Sequence, residues 1–345
     1  MGIDRTWVSL ESTSMRAGHG SYPCQGLWWT PSGEAPRVGM IATHYNVDFS
    51  EHYLASYMAE RGIGFLGWNT RYRGNEAYFM LDQASADIGA GVRWLRDQGV
   101  ETVVILGNSG GGSLMGAYQS QAEGDMRADL YISLQAHLGR PEVFTAWLDA
   151  SVTDETDPFS VDPSLDMFDE ANGPPYSAQF VERYRAGQVA RNDKITAYAK
   201  AQLEEHPQDT LFFVHRVWAD LRFNDLSLDP SDRKPGCYMG DAKWANYSPY
   251  GLGRVNTCRS WLSMWSLQES GCSCAPHFPK IKEPSLLVQS RGDAGIFPSD
   301  AQAMFDLMGA PDKTLEWVAG DHYFQNDGSR DEVADLVAAW IKERT

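Results

Sequence analysis

Gly107-Asn108-Ser109-Gly110-Gly111 constrains this chain more than any other stretch. Upstream runs Val103-Val104-Ile105-Leu106, short, apolar and β-branched, which reads as a buried strand. Downstream, Ser113-Leu114-Met115-Gly116-Ala117-Tyr118-Gln119 reads as a helix. A strand that becomes a helix across so short a turn must hold one residue in a strained conformation. The glycines let strand and helix approach closely and leave backbone N–H groups free. In a G-x-S-x-G of this setting the serine hydroxyl is pushed out of the sheet.

Strand and helix alternate on both sides of this turn. Trp7–Leu10 and Gly26–Thr30 read as an antiparallel lead-in, and Val38–Ala42 as the first core strand. Glu51–Glu60 reads as a helix, with Leu54, Tyr57 and Met58 on one face, and Ile63–Trp68 as the next strand. Ile88, Val92 and Leu95 mark a helix before the serine strand, and Leu130–Leu134 is a strand after it. The alternation stops near Gly139 and resumes near Pro284, with strands at Ser285–Gln289 and Leu315–Ala319 and a helix at Ser299–Met308. Val333, Leu336, Val337, Trp340 and Ile341 fall on one face of a last helix. Such alternation predicts an α/β fold with a mostly parallel sheet and helices on both faces. The interval is rich in large aromatics, among them Trp147, Trp218, Trp244, Trp261 and Trp265. A structureless loop of that length does not fit a compact domain, so a helical insertion is expected.

Composition narrows the function classes. A net charge of -17 repels polyanions, so nucleic acid is not an expected partner. An anionic substrate would need a local basic pocket. No apolar run approaches the roughly 20 residues that span a bilayer, and no membrane partner is expected. The 5 cysteines, Cys24, Cys237, Cys258, Cys272 and Cys274, form no disulfide framework, and a reducing cytoplasm is the simplest setting. Cys272, Cys274 and His277 fit no common zinc spacing, so no metal is expected. Gly110-Gly111-Gly112 is too short for a dinucleotide or P-loop pattern, so no cofactor is expected either.

A serine hydroxyl is a poor nucleophile near neutral pH. It needs a base, and the base needs an orienting carboxylate. In an open α/β sheet these groups sit at the carboxyl ends of strands. His322 follows the last strand, in Gly320-Asp321-His322-Tyr323, and is the expected base. His44 follows the first core strand, where backbone donors for an oxyanion are expected, and His137 follows the strand after the serine helix; both are expected to line a substrate pocket. His19, His52, His206, His215 and His277 have no comparable placement. Asp293, just after the penultimate strand, is the expected acid. Its rival Asp300 lies in Ser299-Asp300-Ala301-Gln302, which reads as a capping box. Asp321 adjoins the base and cannot easily turn to face it. Gly110 N–H is one expected oxyanion donor, and Tyr45 or Asn46 supplies the other.

These residues resemble the α/β-hydrolase superfamily over roughly 1–139 and 280–345. The resemblance implies Ser109 as nucleophile, Asp293 as acid, His322 as base and Gly110 as oxyanion donor. It also implies an inserted helical lid at 140–279. Two places depart from the superfamily pattern. His-Gly at the oxyanion strand is here His44-Tyr45, which changes the donor or adds a hydroxyl near the acyl oxygen. The loop Asn69-Thr70-Arg71-Tyr72-Arg73-Gly74-Asn75 lacks the usual Asp, and its two arginines either pair with acidic groups of the fold or meet a substrate carboxylate. The expected activity is hydrolysis of small to medium, partly apolar carboxylic esters. Alternatives with the same triad are a thioesterase or a C–C bond hydrolase, and outside catalysis a ligand-binding protein. Trp261 and Trp265 share helical spacing and are expected to bound the acyl pocket. The expected partner is a small-molecule ester, with a homodimer left open.

Overall fold

In a computed structural model that describes residues 2–10 and 24–345, ten strands form. They are β1 (Ile3–Leu10), β2 (Cys24–Pro31), β3 (Val38–Ala42), β4 (Gly64–Asn69), β5 (Thr102–Ser109), β6 (Leu130–Ala136), β7 (Leu211–Phe213), β8 (Val255–Thr257), β9 (Ser285–Ser290) and β10 (Lys313–Val318). His19 and the linker between the first two strands lie outside the described residues. Eight strands make one sheet in the order β1-β2-β4-β3-β5-β6-β9-β10; β7 and β8 form a separate antiparallel pair. β1, β2 and β4 pair antiparallel, and every other pairing in the large sheet is parallel. This is the expected α/β architecture with its antiparallel lead-in.

The strands alternate between two cores. Ile41, Leu66, Ile105 and Tyr131 face α2 (Leu81–Asp97) and α3 (Gly111–Gln121), where Ile88, Val92, Leu95 and Leu114 bury their side chains. Met40, Phe65, Val104, Ile132 and Leu286 face the other way, against Met58 of α1 (Ala55–Glu60) and Val333, Val337 and Ile341 of a C-terminal helix at Ser329–Lys342. With both faces covered, these short strands are apolar at nearly every position, as a buried parallel sheet requires. α1 begins at Ala55 and not at Glu51, because His52 is drawn inward. Its Nε2 meets Asn108 Oδ1 at 3.0 Å and its Nδ1 accepts Leu54 N–H at 3.2 Å, which turns the chain before a helix can start.

Between β6 and β9 lies α4 (Arg140–Trp147), then α5 (Ala178–Glu205), α6 (Ala242–Tyr247) and α7 (Cys258–Ser260), which runs on as a π-turn at Trp261–Trp265. α5 is the spine of this segment. Its buried polar side chains hold neighbouring carbonyls: Gln188 donates to Leu148 O at 2.9 Å, Arg191 to Asp149 O at 3.1 Å and Asn192 to Trp265 O at 2.9 Å. Entry and exit of the segment meet, since Arg140 N–H bonds Cys272 O at 2.9 Å and Cys274 N–H bonds Leu138 O at 2.8 Å. The remaining helices, α8 (Pro298–Leu307) and α9 (Ser329–Lys342), return the chain to the sheet. Among the described residues no helix is long and apolar enough to cross a membrane.

Gly67 marks how closely the loop after β3 lies on the sheet. A Cβ there would stand 2.1 Å from Phe49 O and 2.7 Å from Ser50 O, both backbone atoms with no rotamer to escape into. Gly67→Ala is therefore expected to cost about 1–3 kcal/mol, seen as a lower urea midpoint at unchanged m-value.

Candidate active site

Ser109 ends β5 with φ 55, a left-handed conformation that non-glycine residues rarely hold. Its neighbours explain how the turn is made. A Cβ on Gly107 would meet Gly112 Cα at 2.7 Å, one on Gly111 would meet Thr43 O at 2.2 Å, and one on Gly112 would meet Ala136 Cβ at 2.4 Å. The turn is thus pressed between the ends of β3 and β6, and only glycine fits at those positions. The β5–β6 register slips at the same place, pairing Ser109 with Ala136 and passing over Gln135. Gln135 is freed to tie the loops: it donates to Ser290 Oγ and to Asp321 O, each at 2.8 Å.

Asp293 follows β9 and His322 follows β10, both buried at 1% and 4% exposure. His322 Nδ1 lies 2.7 Å from Asp293 Oδ2. The other oxygen, Oδ1, accepts Gly295 N–H at 2.9 Å, Ile296 N–H at 3.0 Å and the Tyr238 hydroxyl at 3.0 Å. A carboxylate so supplied with donors is fixed in direction. Ser109, His44 and His322 line one cavity of about 370 Å³. The structure therefore pairs Asp293 with His322 and sets His322 and Ser109 on one cavity.

Asp300 stands elsewhere. It accepts Phe297 N–H at 3.2 Å at the start of α8 and pairs with Arg222 at 3.2 Å. The helix starts at Pro298, not at Ser299, because the proline fixes the first helical position; Ser299 instead donates to Asp229 at 2.6 Å. Arg71 and Arg73 both pair with acids of the fold, Arg71 with buried Asp87 at 2.6 Å and Arg73 with Asp48 at 2.9 Å.

At the oxyanion strand, the Tyr45 hydroxyl lies 3.1 Å from Ser113 Oγ on α3, so it is spent on the helix. Asn46 N–H points at His44 Nδ1 at 3.4 Å, and its side-chain amide donates to Glu76 at 2.9 Å. No hydrogen bond among the described residues uses Tyr45 N–H or Gly110 N–H. His137 is buried, edge-on to Trp147 at 5.8 Å and tilted to His322 at 6.4 Å, with Nδ1 unpartnered. Burial, and after it the charge of Arg140, push both His44 and His137 well below the usual histidine range. Trp265 packs on Phe144 at 4.5 Å, with the Arg140 guanidinium 5.7 Å from its ring. Trp261 turns into the inserted segment: its indole N–H donates to Thr196 Oγ1 at 3.0 Å and its ring meets Phe212.

Two residues in this region went unread in the sequence. Tyr238 covers the His322 ring at 4.4 Å and bonds Asp293, but nothing in its local sequence marks it. Arg140 reaches His44, and its signal is positional: it comes just beyond the end of β6, where ligand loops gather. Among the described residues no group of three or more His, Cys, Asp or Glu is placed to hold a metal ion. His277 bonds Ser120 at 2.7 Å and Gly271 O at 2.9 Å, away from Ser109.

Asp293→Asn should lower turnover of an ester by about 10⁴-fold with little change in substrate affinity, because it mis-sets the histidine tautomer. Asp300→Asn should cost about 1 kcal/mol of stability and spare turnover. Steady-state kinetics beside denaturant unfolding of both variants checks this; the reverse pattern would make Asp300 the acid.

No protein-family model and no curated protein matches the sequence. Solved structures do match by shape. The DcsB complex with its substrate analogue is 12% identical and covers 99% of this chain and 100% of that one, with a TM-score of 0.59. The alpha/beta hydrolase GrgF from Penicillium sp. sh18 is 12% identical over 98% of this chain and 97% of its own, with a TM-score of 0.56. A soluble variant of monoglyceride lipase from Saccharomyces cerevisiae, in complex with a substrate analog, is 10% identical over 98% and 95%, with a TM-score of 0.54. At such identities the likeness is one of fold: the chain has the α/β-hydrolase fold.

Proposed function

We propose that this protein is a serine-dependent hydrolase of carboxylic esters. The observation that carries the reading is the Asp293–His322 pair, 2.7 Å between Oδ2 and Nδ1, whose histidine lines one cavity with a serine held at φ 55. Asp293 fixes His322 with its proton on Nδ1, which leaves Nε2 as the base. Nε2 takes the Ser109 proton as Oγ attacks the ester carbonyl. The carbonyl oxygen becomes an oxyanion, for which Gly110 N–H and Tyr45 N–H are the uncommitted donors. Between the two candidates after β3, Tyr45 is favoured, because Asn46 N–H already faces His44. His322 returns the proton to the leaving alcohol. Water then attacks the acyl-enzyme with His322 again as base and frees Ser109. The substrate class is small to medium, partly apolar esters.

Residues 140–279 act in this reading as a lid, and Tyr238 is its contribution to the triad. A lid of this kind excludes water from the acyl-enzyme and shapes the acyl pocket.

Ser109→Ala should fold as the parent does and lose roughly 10⁴-fold or more of its turnover. An organophosphate should leave a single adduct, on the Ser109 peptide, by mass spectrometry. An adduct elsewhere, or a fully active alanine variant, sinks the assignment.

The two lid tryptophans should part company. Trp265→Ala, beside Arg140, should reorder a series of p-nitrophenyl esters by acyl length. Trp261→Ala, packed on α5, should instead cost about 3–5 kcal/mol of stability with the ranking kept. Equal, length-independent losses in both would make Trp265 plain core.

A further inference from the structure

Arg140 is 2% exposed and lacks a carboxylate partner within ion-pair distance among the described residues. Among the other arginines, Arg71 has Asp87, Arg216 has Asp149, Arg191 has Glu155 and Arg222 has Asp220. Arg233, also buried and without an ion pair, donates instead to the carbonyls of Asp229 and Arg222 and to Ser231 Oγ, whereas no hydrogen bond from the Arg140 side chain to an oxygen is found among the described residues. A guanidinium taken out of water with neither an anion nor an oxygen acceptor is costly, so a fold keeps one where an anion arrives. The Nε of Arg140 has no hydrogen-bond partner at all. Nη2 lies 3.0 Å from His44 Nε2, and that contact is poor in chemistry. His44 Nδ1 is met by the N–H groups of Asn46 and Val47 at 3.4 and 3.3 Å, which makes Nδ1 the acceptor and puts the ring proton on Nε2. Two donors then face each other. The other neutral tautomer only moves the mismatch to Nδ1, and burial beside Arg140 opposes the doubly protonated ring.

The surroundings do not cancel this charge. Tyr45 and Trp265 hold the guanidinium at 4.7 and 5.7 Å from their ring centres, as aromatic faces without formal charge. Glu76 acts on Arg140 from farther off. Its oxygens accept Gly253 N–H and Asn46 Nδ2–H at 2.7 and 2.9 Å, and burial pushes it up to about 7, so near neutral pH it is an incomplete counter-ion. Arg140 also opens α4, where the helix dipole adds to its charge. Its place is specific. A Cβ on Gly110 would stand 1.8 Å from Arg140 Nη2 and 2.7 Å from His44 Nε2, so both donors lie over the residue that follows Ser109.

We infer that Arg140 and His44 form an anion subsite beside Ser109, and that the acyl group this site takes carries a free carboxylate close to the scissile carbonyl: a half-ester of a short dicarboxylic acid. One oxygen between Nη2 and Nε2–H would give both donors an acceptor. The inference rests on Ser109 being the nucleophile, and it supplies the local basic pocket that an anionic substrate needs in a chain of net charge -17.

The test is a ratio. Mono-p-nitrophenyl glutarate and its methyl-capped, neutral diester are compared by kcat/KM in the parent, Arg140→Met and Arg140→Lys. The parent should prefer the anionic ester by about 10- to 100-fold, the worth of a charge-assisted hydrogen bond. Arg140→Met should bring the ratio to about one and Arg140→Lys should restore part of it. A parent ratio of one or below overturns the subsite. So does a loss in Arg140→Met that is equal for both esters, which would make Arg140 an oxyanion donor or a structural residue. Should Arg140→Met not fold, thermal unfolding of Ser109→Ala with glutarate replaces it. A saturable rise in Tm with glutarate, absent with dimethyl glutarate, supports the subsite, and no rise overturns it. Turnover of neither ester by the parent overturns the hydrolase reading alone, and the glutarate shift then decides the subsite.

Discussion

The left-handed turn at Ser109 is the constraint on which the rest of this architecture depends. A non-glycine residue at φ 55 is held there only if its surroundings over-determine it. Here they do so by contact. Gly111 lies against Thr43 O, Gly112 against Ala136, and Gly107 against Gly112 itself. The same contacts that hold the turn also fix the ends of β3 and β6 beside it. His44 and Tyr45 are delivered to one side of Ser109, and His137 and Arg140 to another, by the strand ends that clamp the turn. The site is therefore a consequence of how the strained turn is packed, and not a later addition to it.

The carboxylate–imidazole pair is fixed by a second set of constraints, partly from outside the sheet. Two donors to Asp293 Oδ1 are backbone groups of its own loop, and the third is Tyr238 from the inserted segment. Gly295 has no Cβ where the Tyr238 ring lies, since one would stand 2.4 Å from it. On the other side, Gln135 donates to Asp321 O next to His322 and so ties the loop after β10 to β6. Displacing the inserted segment would thus loosen Asp293 as well as uncover the cavity.

What could be read from the sequence follows from where periodicity and residue chemistry coincide. The sheet strands were legible because a buried parallel sheet makes them continuous apolar runs, and α9 because its apolar face repeats at helical spacing. Ser109, Asp293 and His322 stood out because reactive residue types fell at strand ends. His52 did not: its pull toward Asn108, which shortens α1, depends on a tertiary contact across 56 residues. The reading of Ser299 as a cap failed for a local reason, as Pro298 already fixes the helix start. Tyr238 and Trp261 sit in the segment without clear periodicity. Nothing in their neighbourhood tells that the first faces Asp293 while the second faces Thr196.

Arg140 is hidden for a different reason. In a chain with 46 Asp and Glu against 29 Lys and Arg, any arginine is expected to find an acid, and sequence cannot show which of them fail to. The failure is visible only in three dimensions. Glu76, the acid that acts on Arg140, is already committed to Asn46 and Gly253, and the acids beside Arg71 and Arg216 are committed to them: Asp87 to Arg71 and Asp149 to Arg216. His44 and His137, both held neutral by burial beside it, cannot compensate a cation. The positive charge of Arg140 lies buried beside Ser109, where screening by water is weak.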